Sequence, residues 1–239
     1  MCNISNRPLS VPADNLFKLT MEELLKERNA KMSQCIMLQN KNGVVMASDS
    51  ALTEIDNNVF KLLTKIHPKV FSGPNFIWTF AGVVAFEKDI EKELNNFNIP
   101  MDARIDRIHI NMKEVLKNYN QLYPFNFQLI VSEFVNEIIT SYLYIIDNNG
   151  WNCMKSERLP IVTPIGLYSS DILEKHLVSQ IPDYSLQEII DLAVINIKEC
   201  IARDGKINSG LMVAGEVYVY AMDNFGNITS YINEKEAKF

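Results

Sequence analysis

The order of the predicted strands and helices limits the fold of this chain more than any other feature of its sequence. Short apolar runs separated by turn residues predict two hairpins, and apolar residues at helical spacing then predict two helices. The same order repeats in the second half, before a closing hairpin. Because two consecutive helices do not fit the crossover of a parallel βαβ unit, we predict antiparallel sheets covered by pairs of helices.

Turn residues locate the two hairpins of the first half. Apolar runs on either side of Asn42-Gly43 predict a hairpin over residues 35–49. A second hairpin is predicted over residues 69–80, around the four-residue turn at 72–75. Residues 54–64, between the two hairpins, are predicted to be a linker.

Helical spacing and strand alternation predict the remaining elements. Phe86 and Ile90 open an apolar stripe of a helix that starts near residue 83. Ser185 and Glu188 form a capping box at the start of a later helix. The other expected elements are helices over 102–119, 170–178 and 186–201, strands over 127–135 and 140–146, and a closing hairpin of 217–222 and 228–232.

The charge balance argues against several classes of partner. The chain has 239 residues, with 23 lysines and arginines against 29 aspartates and glutamates, so its net charge is −6 and its pI is about 5.2. Such a chain lacks the positive surface that binds nucleic acid, and no apolar run reaches the roughly 18 residues of a membrane span. Scattered cysteines and histidines predict no metal site. We expect a cytoplasmic protein.

Several segments, taken in order, resemble a divergent proteasome subunit of the β type. They are Ser33-Gln-Cys-Ile-Met-Leu38, residues 42–50, Lys69-Val-Phe71 and Thr79-Phe-Ala-Gly82, with weaker counterparts at Pro164-Ile-Gly166 and residues 214–223. The resemblance implies an N-terminal-nucleophile hydrolase with a four-layer αββα sandwich, in which two antiparallel sheets are flanked by helix pairs. It also implies a single domain over residues 33–239, preceded by a leader or propeptide over 1–32.

The resemblance implies catalytic roles for a serine, an aspartate and a lysine. Ser33 matches the nucleophile, which would use its own α-amino group as the base once the leader has been removed. Asp49 and Lys69 match the residues beside it. A lysine ammonium there would favour the neutral form of the terminal amine, and the aspartate would keep the lysine charged and in place. Lys65 is a second candidate for the lysine, because the preceding linker differs in length from that of the family.

Three further positions are implied to support the reaction. The backbone N–H of Gly82 would stabilise a tetrahedral oxyanion, since the strand gives way to a helix there. Asp204 and Ser209 match residues that brace the nucleophile, although their separation is longer than in the family. Two positions depart from the family: Met32 replaces the usual glycine, and residues 166–168 read Gly-Leu-Tyr instead of Gly-Ser-Gly. The chemistry requires no metal or organic cofactor.

The fate of the leader decides between two kinds of function. If Ser33 cleaves the chain after Met32, the protein is a serine- or threonine-type endopeptidase of peptides or proteins, or an amidohydrolase of other substrates. If the amphipathic helix predicted over 19–31 stays attached, the protein is a non-catalytic, α-type-like subunit. The resemblance implies a homo-oligomeric ring and leaves open an unfoldase or cap as partner. Phe86 and Phe97 are expected to be exposed for contacts between subunits.

Overall fold

A computed structural model gives the structure of the protein from residue 34 onward. It describes residues 34–56, 59–81, 86–119, 127–147, 150–156, 159, 161–166, 168, 170, 172–173, 178–208, 210, 212–233 and 235–237. The predicted leader, with its helix over 19–31, lies outside these residues.

Strands form the larger part of the described secondary structure. In chain order they are β1 Cys35–Asn40, β2 Gly43–Ser48, β3 Leu52–Asp56, β4 Val59–Thr64, β5 Val70–Ser72, β6 Phe76–Ala81, β7 Phe127–Val135, β8 Ile138–Asp147, β9 Gly150–Ser156, β10 Ile161–Ile165, β11 Tyr218–Asp223, β12 Ile228–Ile232 and β13 Lys235–Ala237. The α-helices are α1 Glu87–Leu94, α2 Met101–Tyr119 and α3 Leu186–Ile207, and a 3₁₀ helix spans Val178–Asp183.

The strands form two large antiparallel sheets and a separate hairpin. The first sheet has six strands in the order β10-β1-β2-β11-β12-β13, and the second has five in the order β5-β6-β7-β8-β9. β3 and β4 pair with each other. This hairpin occupies most of the segment predicted to be a linker, so that prediction is wrong. Residues 52–64 contain no glycine or proline, so the usual turn signal between two strands is missing from this part of the sequence.

The β1–β2 hairpin confirms the turn predicted at Asn42-Gly43. Asn40 pairs with Gly43 across the turn. Gly43 has a φ of 149°, and a Cβ at this position would lie 2.4 Å from the carbonyl oxygen of Met222 on the neighbouring strand β11. Glycine is required here because any side chain would separate β2 from β11.

Alternate side chains of β1 belong to two different cores. Cys35 and Met37 lie in the core between the two large sheets, whereas Ile36 and Leu38 pack in the core that contains α3. A strand buried on both faces is expected to be apolar without interruption, as this one is. The six-stranded sheet therefore lies between the five-stranded sheet and α3.

Helices α1 and α2 cover the outer face of the five-stranded sheet. Phe86, Ile90 and Leu94 are buried in the core between them, as the apolar stripe predicted. The expectation that Phe86 is exposed is wrong, because its ring belongs to this core, with 4% of its surface accessible. Phe97, in the connection between the two helices, is 51% exposed.

Helix α3 covers the outer face of the six-stranded sheet. The predicted capping box is confirmed: the Ser185 hydroxyl accepts from the backbone N–H of Glu188, whose carboxylate accepts from the backbone N–H of Ser185. The helix continues to Ile207, one and a half turns beyond the predicted end at residue 201. None of the helices in the described part of the chain is long and apolar enough to cross a membrane.

The predicted fold class, a four-layer αββα sandwich flanked by helix pairs, is wrong. The described residues are mostly antiparallel sheet with three α-helices, two against the five-stranded sheet and one against the six-stranded sheet. The 22 residues of α3 extend roughly 33 Å at the usual rise of an α-helix, and its buried side chains pack on the outer face of the six-stranded sheet together with Leu173 and Ile181. Of the helix predicted over 170–178, residues 171 and 174–177 lie outside the described residues.

Candidate active site

A buried ion pair lies at the end of β2, where the two large sheets meet. Asp49 follows the last residue of β2, and Lys69 precedes the first residue of β5. The Lys69 Nζ donates to Asp49 Oδ1 at 2.8 Å, and the two side chains are 3% and 0% exposed. The structure therefore brings together two of the residues predicted for the site. Buried charges are tolerated where they are paired and hydrogen-bonded, as these are.

The Asp49 carboxylate accepts four hydrogen bonds. Oδ1 accepts from Lys69 Nζ and from the backbone N–H of Gln34, the latter at 3.0 Å. Oδ2 accepts from the backbone N–H of Ala51 at 3.0 Å and of Ala214 at 3.3 Å. These donors come from four separate stretches of the chain. The carboxylate thus joins the start of β1 to the start of β5 and to the segment before β11.

The main chain of Lys69 is hydrogen-bonded to β6, which fixes the position of the residue. Its carbonyl oxygen accepts a 2.7 Å hydrogen bond from the Thr79 hydroxyl on β6. Lys65, the second candidate for the lysine, has an exposed side chain, and its carbonyl oxygen accepts from the Ser50 hydroxyl. The geometry therefore favours Lys69 as the site lysine.

The Cys35 thiol is buried close to this ion pair. Burial raises the pKa of Cys35 to about 12, although Lys69 and the Thr79 hydroxyl oppose the shift. The thiol therefore stays protonated near neutral pH. Because the thiolate is the reactive form of cysteine, Cys35 acts here as a small buried side chain and not as a nucleophile.

Asp204 is a second buried carboxylate, on the last turn of α3. Oδ1 accepts from the Tyr168 hydroxyl at 3.0 Å and from Asn208 Nδ2 at 2.8 Å. Oδ2 accepts from the backbone N–H groups of Met212 and Val213, each at 3.0 Å. A carboxylate offers about four acceptor positions, so these donors occupy all of them. Asp204 thus fixes the segment that follows α3.

Two chain segments connect the two carboxylates. Ala214, which directly follows the segment held by Asp204, donates its N–H to Asp49 Oδ2. On the other side, the Gln34 side-chain oxygen accepts from the backbone N–H of Tyr168 at 3.2 Å, and the hydroxyl of that tyrosine binds Asp204. The candidate site is therefore one continuous hydrogen-bonded cluster, with Asp49–Lys69 at one end and Asp204 at the other.

Three of the predicted site residues, Ser33, Gly82 and Ser209, lie outside the described residues. Three others that complete the cluster, Gln34, Tyr168 and Ala214, were not predicted. Tyr168 belongs to residues 166–168, which depart from the Gly-Ser-Gly turn of the family. This departure was the sequence signal for a site residue at that position. Ala214 acts through its backbone N–H, and Gln34 acts through its backbone N–H and its side-chain oxygen. Sequence patterns do not reveal the backbone contacts.

The cluster contains no evident place for a metal ion. Across the described ranges, no three His, Cys, Asp or Glu side chains are grouped so that they could ligate one.

No family model matches the sequence. No curated protein matches it either.

Solved structures do match the fold. An Anbu (ancestral beta-subunit) from Yersinia bercovieri has a TM-score of 0.59 at 19% identity, over 85% of each chain. An Anbu (Gly-1) mutant from Hyphomicrobium sp. strain MC1 has a TM-score of 0.58 at 16% identity, over 84% of this chain and 86% of that one. A further Anbu structure from the same strain has a TM-score of 0.54 at 16% identity, over 83% and 86%.

These structures correct the predicted family. At identities of 16–19% the similarity establishes the fold and not the function. The matching structures are described as Anbu, an ancestral beta-subunit, and not as proteasome subunits. The predicted resemblance to a proteasome β subunit is therefore wrong.

Proposed function

We propose that the protein is an N-terminal-nucleophile hydrolase that cleaves peptide bonds with Ser33 as its nucleophile. One observation carries the proposal: Asp49 Oδ1 accepts both from the buried Lys69 ammonium and from the backbone N–H of Gln34. A single peptide bond joins Gln34 to Ser33. The similarity of fold to Anbu structures supports the same class of enzyme.

The proposed reaction begins with removal of residues 1–32. The Ser33 hydroxyl attacks the carbonyl carbon of Met32, the bond between that carbon and the Ser33 nitrogen breaks, and the nitrogen takes a proton. Water then hydrolyses the resulting ester, which leaves Ser33 with a free α-amino group. Such an amine has a pKa of roughly 7.7 to 8.0 in unperturbed chains, so it can accept a proton near neutral pH.

In a catalytic cycle the α-amino group takes the proton of the Ser33 hydroxyl as the oxygen attacks the substrate carbonyl. The tetrahedral intermediate collapses, the substrate C–N bond breaks, and the amine product leaves with the proton that Ser33 had taken. Water attacks the acyl ester in the same way and releases the acid product. One residue thus supplies both the nucleophile and the base.

The ion pair supplies the electrostatic part of this mechanism. A positive charge on Lys69 disfavours a second positive charge on the neighbouring α-amino group, which keeps that amine basic and neutral. The same charge stabilises the oxygen of Ser33 as it loses its proton. Because Asp49 is held by three backbone N–H groups, the ammonium is positioned before the substrate binds. The N–H of Gly82 is proposed as the oxyanion donor.

The outer part of the cluster is proposed to support this arrangement. Asp204 holds the segment that ends at Ala214, and Ala214 in turn donates to Asp49. Ser209, between α3 and that segment in the sequence, is proposed to assist. Residues 33–239 are proposed to act as one domain within a homo-oligomeric ring, in line with the similarity to proteins described as ancestral beta-subunits.

The experiment is an intact-mass measurement on the purified full chain and a matched set of variants. We expect the wild-type protein to begin at Ser33, Ser33→Ala to keep residues 1–32, and Ser33→Thr to lose them. Lys69→Ala should slow the cleavage by about a hundredfold or more, because it removes the charge beside the reacting groups. Lys65→Ala is the matched control, since it removes an exposed lysine from the same segment.

Two outcomes would contradict the proposal. A stable full-length wild-type chain would indicate a non-catalytic subunit that keeps its leader. Equal cleavage of Ser33→Ala and the wild type would assign the nucleophile to another residue or to a contaminating protease.

A further inference from the structure

Tyr168 lies between the two carboxylates of the cluster and contacts both sides of it. Its backbone N–H donates to the side-chain oxygen of Gln34 at 3.2 Å, and its hydroxyl donates to Asp204 Oδ1 at 3.0 Å. The hydroxyl also accepts from Asn208 Nδ2 at 3.0 Å. The side chain is buried, with 4% of its surface accessible. One residue therefore links the start of β1 to the end of α3.

The Tyr168 hydroxyl is kept protonated, and its ring is kept in one orientation. Burial, together with the adjacent Asp204 carboxylate, raises the pKa of the Tyr168 hydroxyl well above its usual value, so the hydroxyl remains a donor. The guanidinium of Arg203 lies 5.0 Å from the centre of its ring. A cation over the ring face restricts the movement of the ring. The donor is therefore fixed before any substrate arrives.

The Tyr168 hydroxyl is one of four donors to the Asp204 carboxylate. It donates to Oδ1, and Oδ2 accepts from the backbone N–H groups of Met212 and Val213. The next residue, Ala214, donates to Asp49. Loss of the hydroxyl would leave Asp204 Oδ1 with the donor from Asn208 among the described residues and allow the carboxylate to turn. A turn of this carboxylate would release the segment that positions Asp49.

From these contacts we propose that Tyr168 is a positioning residue for the Asp49–Lys69 pair, acting through Asp204 on one side and Gln34 on the other. The role rests on the proposed function for its effect on catalysis, but the positioning itself does not. Among the described residues the hydrogen bonds of Tyr168 go to Gln34, Asp204 and Asn208 and not to Asp49 or Lys69, so its role is positioning and not catalytic. In this chain the altered segment Gly166-Leu-Tyr168 supplies a phenol hydroxyl, which donates to the Asp204 carboxylate.

The first experiment measures positioning without any need for activity. Hydrogen exchange of the full chain is followed in a Ser33→Ala background, with and without Tyr168→Phe. That substitution keeps the ring over Arg203 and the backbone N–H to Gln34, and removes only the hydroxyl. The matched control is Tyr144→Phe, which removes another buried tyrosine hydroxyl, bonded to His109 in the layer of α1 and α2.

We expect the amides of residues 34 and 212–214 to exchange about tenfold faster in Tyr168→Phe, and to be unchanged in Tyr144→Phe. Unchanged exchange at these amides in Tyr168→Phe would overturn the proposal whether or not the protein is an enzyme. Equal acceleration in both variants would also overturn it, because it would reflect general loosening.

The second experiment measures the effect on chemistry with para-nitrophenyl acetate as the probe. The Ser33 hydroxyl attacks the ester carbonyl and gives its proton to the α-amino group, and the bond to the nitrophenyl oxygen breaks with release of nitrophenolate. Acylation is read as the mass added to the peptide that contains residue 33. We expect the maximal rate to fall about tenfold in Tyr168→Phe, with little change in the ester concentration at half the maximal rate. Tyr144→Phe should match the wild type.

The two experiments separate the two proposals. If wild-type Ser33 is not acylated faster than in a denatured sample, the proposed function fails, and the exchange measurement still decides the positioning. If Ser33 is acylated and Tyr168→Phe reaches the wild-type maximal rate, the positioning role in catalysis is overturned while the proposed function stands.

Discussion

Two buried cations in this protein have different kinds of partner. Lys69, between the sheets, is paired with Asp49. Arg104, at the start of α2, donates to the carbonyl oxygens of Leu94 and Ile99, each at 2.9 Å. Its guanidinium also lies 4.8 Å from the centre of the Phe97 ring, and its Nη1 lies 4.0 Å from the Glu133 carboxylate, a longer contact than the 2.8 Å hydrogen bond between Lys69 and Asp49.

The partners indicate what each cation does. Arg104 satisfies carbonyl groups at the end of α1 and in the connection to α2, which stabilises a tight link between helices. Lys69 and three backbone N–H groups instead meet on one carboxylate at the ends of separate strands. Burial of a charged side chain therefore does not by itself indicate a candidate site. A candidate site is indicated where distant segments of the chain converge on one ionised group, as they do at Asp49.

The largest expected effect comes from breaking the Asp49–Lys69 pair. Asp49→Asn leaves the buried ammonium without its counter-charge, and we expect the free energy of unfolding to fall by about 3 to 5 kcal/mol. Self-cleavage before residue 33 should stop as well. Urea denaturation and intact mass measure the two effects.

The double variant Asp49→Asn/Lys69→Met should recover part of the stability but no cleavage, since it removes the unpaired charge. A single variant as stable as the wild type would show that the pair is not buried.

A smaller effect is expected at the other cation. Arg104→Met removes a charged donor from two buried carbonyl groups, which should lower the free energy of unfolding by about 3 kcal/mol. Cleavage before residue 33 should continue at the wild-type rate, because this arginine lies in the helical layer. Arg107→Met, an exposed position on the same helix, is the control and should change stability little. Loss of cleavage in folded Arg104→Met would remove the distinction between the two cations.

The smallest expected effect is the pH dependence of stability that arises from Glu133, the carboxylate beside Arg104. Burial raises the pKa of Glu133, and the Arg104 guanidinium, with Nη1 at 4.0 Å from its carboxylate, opposes the shift in part. Because the folded pKa exceeds the unfolded value of about 4.3, the stabilisation from the protonated form is complete below that pH and is lost as pH rises through the folded pKa. Urea midpoints from about pH 4 to about pH 7 should therefore fall more in the wild type than in Glu133→Gln. Parallel curves would contradict this.

Local patterns predicted the elements whose geometry depends on neighbours in sequence. The β1–β2 turn, the 127–135 strand, the Phe86, Ile90 and Leu94 stripe and the Ser185–Glu188 capping box are all confirmed, and each depends on contacts within a few residues. The β3–β4 hairpin and the true end of α3 were missed. Residues 52–64 contain no glycine or proline to mark a turn, and Gly205, a poor helix former, lies inside α3, which continues past it to Ile207.

The candidate site was predicted only in part because its contacts are distant in sequence. Asp49 and Lys69 are 20 residues apart and were predicted from the resemblance. Ala214 lies 165 residues from Asp49, and Tyr168 lies 134 from Gln34. Both of these contacts use backbone N–H groups, which every residue except proline carries. The identity of Ala214 gave no indication of its contact, and the signal at Tyr168 was the departure from the Gly-Ser-Gly turn of the family.

The sequence by itself determined the β1–β2 hairpin, the apolar stripe of α1 and the capped start of α3, since periodicity and turn chemistry are properties of short segments. It indicated Asp49 and Lys69 through the family resemblance. Only the tertiary structure decided that Lys69 and not Lys65 reaches Asp49, that one long helix covers the six-stranded sheet, and that Tyr168 joins Gln34 to Asp204. The physical reason is that these outcomes depend on which strand ends meet when two sheets pack face to face, and that packing is a property of the whole chain.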